Sequence, residues 1–133
     1  MKKTLLFSDV HLKVSAAARA DRHRFVRFLR GCDPARFDRV VCLGDLFDFW
    51  FEYRHAVFAD YFAVLRALAE LRDAGIALHL VCGNHDFWAD GFLRDELGLH
   101  IHQRPVQLPF GGRSAHLAHG DGVNPRDHGY RLF

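Results

Sequence analysis

The chain has 133 residues, 50% of them hydrophobic and 26% charged, with a formal net charge of +2. That length supports one domain with its own core, and the balance is that of a globular chain rather than a disordered one. Near-neutral charge argues against a broad basic track for a nucleic-acid backbone, and no apolar run reaches the length of a membrane span.

Residues 4–8, Thr-Leu-Leu-Phe-Ser, predict a buried strand, with a loop from Asp9 to Ser15. The opening Met1-Lys2-Lys3 and the apolar residues after it resemble a signal peptide, but Asp9, His11 and Lys13 interrupt the pattern, so a cytoplasmic location is expected. Residues 16–30 predict a helix with Phe25, Phe28 and Leu29 on one face, ended by Gly31. Its arginines, Arg19, Arg22, Arg24, Arg27 and Arg30, suit a solvated face, or contact with an anionic ligand or an acidic lipid surface. Residues 39–43 predict a second strand.

Residues 55–74 predict the longest helix, with Val57, Phe58, Tyr61, Phe62, Leu65, Leu68 and Leu71 on an apolar stripe. Residues 76–82 predict a third strand and 89–97 a short helix, with 99–103 extended. Residues 105–110 and 113–118 flank Gly111-Gly112, a hairpin signal. The alternation βαβαβ predicts an α/β sandwich with a largely parallel core. No internal boundary appears, so residues 1–133 are expected to form a single domain. The three cysteines, Cys32, Cys42 and Cys82, are expected to be buried thiols.

Four of the apolar runs end in metal-binding residue types. The first reaches Asp9 and His11, and the second Gly44-Asp45. The third reaches Gly83-Asn84-His85-Asp86, and the fourth His119-Gly120-Asp121. If these runs are neighbouring strands, their carboxyl ends share the sheet edge where open α/β folds bind ligands. Asp, His and Asn together suit a divalent ion of the manganese, iron or zinc kind. In extended backbone, Asp9 and His11 point the same way, so both can reach one ion. Asp45 offers two oxygens and can bridge two ions. Two ions about 3.5–4 Å apart would activate a water and stabilise charge on a phosphoryl group.

His85 is placed to donate to a phosphoryl oxygen, oriented by Asp48. Taken singly, each of these residues has an ordinary explanation as a turn former or helix cap. Asp86 is expected to cap the helix near Trp88, and Asp121 to fix the loop around His119. His79 and His116 are expected to be core or surface groups. The chain contains no dinucleotide fingerprint, no Walker A sequence and no nucleophile elbow.

Ser8-Asp9-x-His11, Gly44-Asp45-x-x-Asp48, Gly83-Asn84-His85-Asp86 and His119-Gly120-Asp121 together resemble the successive signature blocks of the calcineurin-like metallophosphoesterases. The resemblance implies a layered α/β/β/α sandwich, of which this chain would hold the N-terminal part, since a later G-H-x-H block is absent. It implies Asp9 and His11 at a first metal, Asp45 bridging, and Asn84 and His119 at a second, with Mn2+ expected at both. Residues 44–51 and 83–87 are similar to the UDP-2,3-diacylglucosamine pyrophosphatase branch, which carries Arg where this chain has His85. That likeness implies hydrolysis of a nucleotide-linked lipid to UMP and 2,3-diacylglucosamine 1-phosphate, in lipid A synthesis, with contact at the inner membrane face. It implies Asn84, His85, Asp127 and Tyr130 as substrate contacts. The alternatives are a phosphodiesterase or phosphatase for another small substrate, or an inactive metal-binding fragment. Phe49-Trp50-Phe51 reads either as core or as an exposed apolar run suited to an amphiphile beside Arg54.

Overall fold

Four parallel strands, β1 (Lys3–Phe7), β2 (Phe37–Cys42), β3 (Ala77–Val81) and β4 (His100–His102), lie side by side in chain order. This computed structural model describes residues 2–53 and 55–121. Parallel neighbours need a crossover, and crossovers are right-handed. Because the order never reverses, successive crossovers fall on one face. Helices α1 (Arg19–Arg30) and α2 (Phe62–Asp73) accordingly pack together with that face in one core, through Phe25, Val26, Leu29, Val64, Leu65 and Leu68. The opposite face is left for the antiparallel hairpin β5 (Val106–Phe110) and β6 (Arg113–Leu117), which turns at Gly111-Gly112 as its sequence predicts. Leu117 of the hairpin closes on Val41 and Val81 of the sheet. The α/β class and the layering of helices, parallel sheet and second sheet are thus as expected.

Several boundaries differ from expectation. Strand β1 is an edge strand with Leu6 exposed rather than a buried one. The long helix begins at Phe62, after a 3-10 turn at Ala59–Tyr61, not at residue 55. Its apolar stripe is rotated: Val64 and Ala67 are buried while Phe62 is 66% exposed. The helix expected over 89–97 is a π-helical segment, Phe92–Glu96. The Glu52 carboxylate holds its start, accepting from Phe92 N at 2.8 Å and, two residues earlier, from Asp90 N at 3.0 Å.

Arg22, read as one of a solvated row, is instead buried. Its guanidinium donates to the carbonyls of Lys13 and Ser15 and to Asp60 Oδ1 at 2.9 Å. That arrangement pins the loop after β1. Trp50 is 1% exposed, so only its neighbours Phe49 and Phe51 reach the surface; Arg54 lies outside the described residues. Trp50 stacks on Phe47 at 4.6 Å, and Phe47 meets Tyr61 at the same distance. This aromatic block forms the floor beneath the loops that follow β1 and β2.

Candidate metal centre

Those two loops are laced together. Asp9 N donates to Gly44 O at 3.0 Å, His11 N to Asp45 O at 2.9 Å and Leu12 N to Leu46 O at 3.1 Å. The Tyr61 hydroxyl donates to Leu12 O at 2.6 Å from below, and burial pushes its pKa up to about 12. The backbone between these bonds is strained. Asp9 (φ 54°), His11 (φ 48°) and Asp45 (φ 54°) are the only non-glycine residues with positive φ among those described. The left-handed region costs an L residue of order 1–3 kcal/mol and collects at functional sites. The D-x-H pair is therefore not extended, contrary to the expectation from strand alternation. The left-handed turns aim both side chains at Asp45.

Asp45 is 3% exposed and its carboxylate is the hub. Oδ1 accepts from His85 N at 3.1 Å. Oδ2 stands 3.4 Å from His11 Nε2 and 3.4 Å from His119 Nε2. Asp9 Oδ1 is 3.7 Å from His11 Nε2. Two donors each about 2.1 Å from one ion are separated by roughly 3–3.5 Å, so the two spacings to Asp45 fit shared coordination and the Asp9–His11 spacing is slightly long for it. Among the described residues two triads, His11–Asp45–His85 and Asp9–Asp45–His119, bring possible ligand atoms within 4.8 Å of one another and share Asp45, so Asp9 groups with His119 and His11 with His85 rather than Asp9 with His11. The donor set therefore fits a divalent metal, and fits two with a common carboxylate. His119 comes from the loop after β6; its Nδ1 lies 2.7 Å from Leu43 O, which leaves Nε2 facing Asp45. Such outer bonds fix the tautomer of a ligating histidine.

Charge follows this geometry. Burial opposes protonation of His119, but the Leu43 carbonyl and the carboxylates of Asp45, Asp121 and Asp9 outweigh it, and its pKa is raised. The Ser8 hydroxyl, aided by His119 and His11, holds Asp9 below the usual carboxylate range.

Asn84 is exposed and lines a cavity with His119. His85 Nδ1 lies 2.6 Å from the backbone carbonyl of Asp48 and 3.9 Å from its carboxylate. The orienting partner is thus the Asp48 main chain. The Asp48 carboxylate sits 3.6 Å from His11 Nδ1. Asp127 and Tyr130 lie outside the described residues.

Asp86 is not a helix cap. It is fully buried, and accepts from Leu46 N at 2.8 Å and Gly83 N at 2.7 Å, binding the loop after β2 to the loop after β3. Burial raises its pKa against those two amides. A second omission is a histidine stack. His79 Nδ1 lies 3.0 Å from His102 Nε2, and its ring is 4.5 Å from that of His100. The alternation His100-x-His102 put two of these on one face; only the β3–β4 register brings in His79.

Comparison with known proteins agrees with this geometry. The model of the calcineurin-like phosphoesterase family matches residues 2–130. The chain belongs to that family. As a calcineurin-like phosphoesterase it is 43% identical over 82 residues to a UDP-2,3-diacylglucosamine hydrolase of Porphyromonas gingivalis, covering 62% of this chain and 31% of the relative. It is 33% identical to the enzyme of that name from Aeromonas hydrophila, covering 98% of this chain and 52% of the relative. For Nitrosococcus oceani the identity is 32%, with 96% and 50% covered. The phosphoesterase chain thus spans about half or less of the length of these relatives. A crystal structure of an Aquifex aeolicus protein of unknown function shares the fold, with a TM-score of 0.58 at 19% identity, covering 97% of this chain and 68% of that one. The family implies divalent metal ions, and the residues around Asp45 can hold them.

Proposed function

We propose that this phosphoesterase contributes to metal-dependent hydrolysis of a pyrophosphate bond, that of UDP-2,3-diacylglucosamine, giving UMP and 2,3-diacylglucosamine 1-phosphate for lipid A synthesis. The observation that carries the reading is the buried Asp45 carboxylate, with one oxygen equidistant from His11 and His119. The names of the relatives supply the substrate. Asp9, His11, Asp45, Asn84 and His119 would hold two divalent ions, with Mn2+ the expected metal. Bound there, the ions would activate the attacking water and offset charge growing on the phosphoryl oxygens. In the balanced reaction the water oxygen bonds to one phosphorus and the bridging P–O bond breaks. Two phosphate monoesters are left.

His85, fixed through Asp48, is proposed to donate to a phosphoryl oxygen. Its ring stands edge-on to His11 at 4.7 Å, which places it beside the ligands. Asn84, Asp127 and Tyr130 are proposed substrate contacts. The 133 residues are read as part of a longer phosphoesterase domain, in keeping with the length of the relatives. No helix among the described residues is long and apolar enough to cross a membrane. A cytoplasmic enzyme in peripheral contact with the inner membrane face fits an amphiphilic substrate, and nucleic acid is not expected as one.

The test is side-by-side hydrolysis, with manganese, of UDP-2,3-diacylglucosamine, bis(p-nitrophenyl) phosphate and single-stranded DNA. It is run on these 133 residues and on a chain extended to the relatives' length. Preference for the nucleotide lipid is expected. Preference for DNA would overturn the substrate, and no metal-dependent turnover from either folded chain would overturn the hydrolase.

A further inference from the structure

The candidate metal centre opens into a cavity of about 660 Å³, floored by Val81 and Gly83 and walled by Phe87, Trp88 and Arg104. Trp88 also lines a second cavity of about 730 Å³ on its other side. The two differ in charge. The first carries Arg104, His116 and His119 against one carboxylate among its described lining residues, Asp121. The second carries Glu52, Asp90, Asp95 and Glu96 against His55. A ligand with a phosphate is repelled by the second and drawn to the first.

Trp88 is 52% exposed, next to Phe87 at 55%, and both line the cavity. The Gln103 side-chain amide donates to Ala89 O at 2.7 Å, which ties the loop that presents Trp88 to the chain after β4. Arg104 stands next in the chain, exposed and without an ion-pair partner among the described residues. An exposed indole offers a stacking platform for a base, and a guanidinium offers paired donors to a phosphate. The same cavity includes Asn84 and His119, so a ligand lying in it is beside the metal-binding edge.

We propose that this cavity is a nucleotide subsite, in which a nucleoside monophosphate stacks its base on Trp88 and sets its phosphate between Arg104 and the Asn84–His119 edge. The proposal rests on the hydrolase reading for its physiological substrate and names the end of that substrate which binds here.

Calorimetric titrations of the chain with UMP, uridine, inorganic phosphate and 2,3-diacylglucosamine 1-phosphate test it, on the wild type, Trp88→Ala and Arg104→Gln. Both side chains are exposed, so folding is expected to survive either change, and circular dichroism checks this. Trp88→Ala should weaken UMP and uridine about tenfold. Arg104→Gln should weaken UMP and phosphate about tenfold and leave uridine unchanged. UMP should also quench the emission of the exposed Trp88 in the wild type. If both variants bind UMP as the wild type does, the subsite is wrong. It is equally wrong if Arg104→Gln weakens the lipid phosphate but not UMP. Manganese-dependent hydrolysis of bis(p-nitrophenyl) phosphate by the wild type reads the hydrolase assignment separately, because that ester carries no base.

Discussion

Asp45 holds its place because two glycines leave room for it and its neighbour. A Cβ on Gly83 would collide with the Asp45 carboxylate, and one on Gly44 with the His119 ring. Gly44 also has φ 93°, so a side chain there is strained as well as crowded. Gly44 before Asp45 and Gly83 before Asn84 read in the sequence as turn formers; the close approach across loops is the stronger reason, and it shows only in three dimensions. Gly83→Ala is therefore expected to lower metal affinity about tenfold or more, comparable to loss of an outer-sphere contact, while the melting temperature falls by only a few degrees. Calorimetric manganese titration beside thermal unfolding checks this; unchanged affinity would show that Asp45 tolerates displacement. Asp9, His11, Asp45, Asn84 and His119 are expected as ligands because they stop apolar runs, and of these the structure gathers Asp9, His11 and His119 around Asp45. The left-handed backbone at Asp9 and His11 was not legible in the sequence, since neither residue type requires it. Asp86 was misjudged because its partners, the amides of Leu46 and Gly83, lie on separate loops.

At the scale of elements, the strands and the hairpin were legible because their patterns are local: apolar runs, a glycine pair, period-two alternation. The start of α2 was not, because residues 55–61 carry helical spacing yet fold into irregular chain and a 3-10 turn around the Trp50–Phe47–Tyr61 block. The β3–β4 histidine stack likewise depends on register. It carries a measurable consequence. Burial, then the neighbouring His100 and His102, then Arg39, lower the His79 pKa to about 4 from an ordinary 6.5. Between those values the unfolded chain binds the proton and the folded chain does not, so stability rises with pH across the window. His79 thus costs nothing above about pH 6.5 and destabilises progressively as pH falls toward 4. Partial solvation of the ring limits the loss to roughly 1–2 kcal/mol. Urea unfolding at pH 7 and pH 5 should show the drop in the wild type and a smaller one in His79→Gln. Equal drops would place the titrating group elsewhere.

On the scale of the whole molecule, sequential parallel strands put both helices on one face, leave the other to the hairpin, and bring the loops after β1, β2 and β3 to one sheet edge, where the hairpin adds the loop after β6. That convergence gathers Asp9, His11 and His119, spread over most of the described chain, around Asp45, in two groups of possible ligands that share its carboxylate. Sharing of Asp45 by two ions is the proposal on which the site rests. It is tested most directly by manganese stoichiometry, measured by elemental analysis with electron paramagnetic resonance, in wild type and Asp45→Asn. The wild type is expected to bind two Mn2+ per chain with a spin-coupled signal. Asp45→Asn should lose the coupling and bind manganese at least about 100-fold more weakly, as expected when a ligand rather than its support is removed. A variant that keeps two ions at wild-type affinity, or a folded wild type that binds none, would contradict the account.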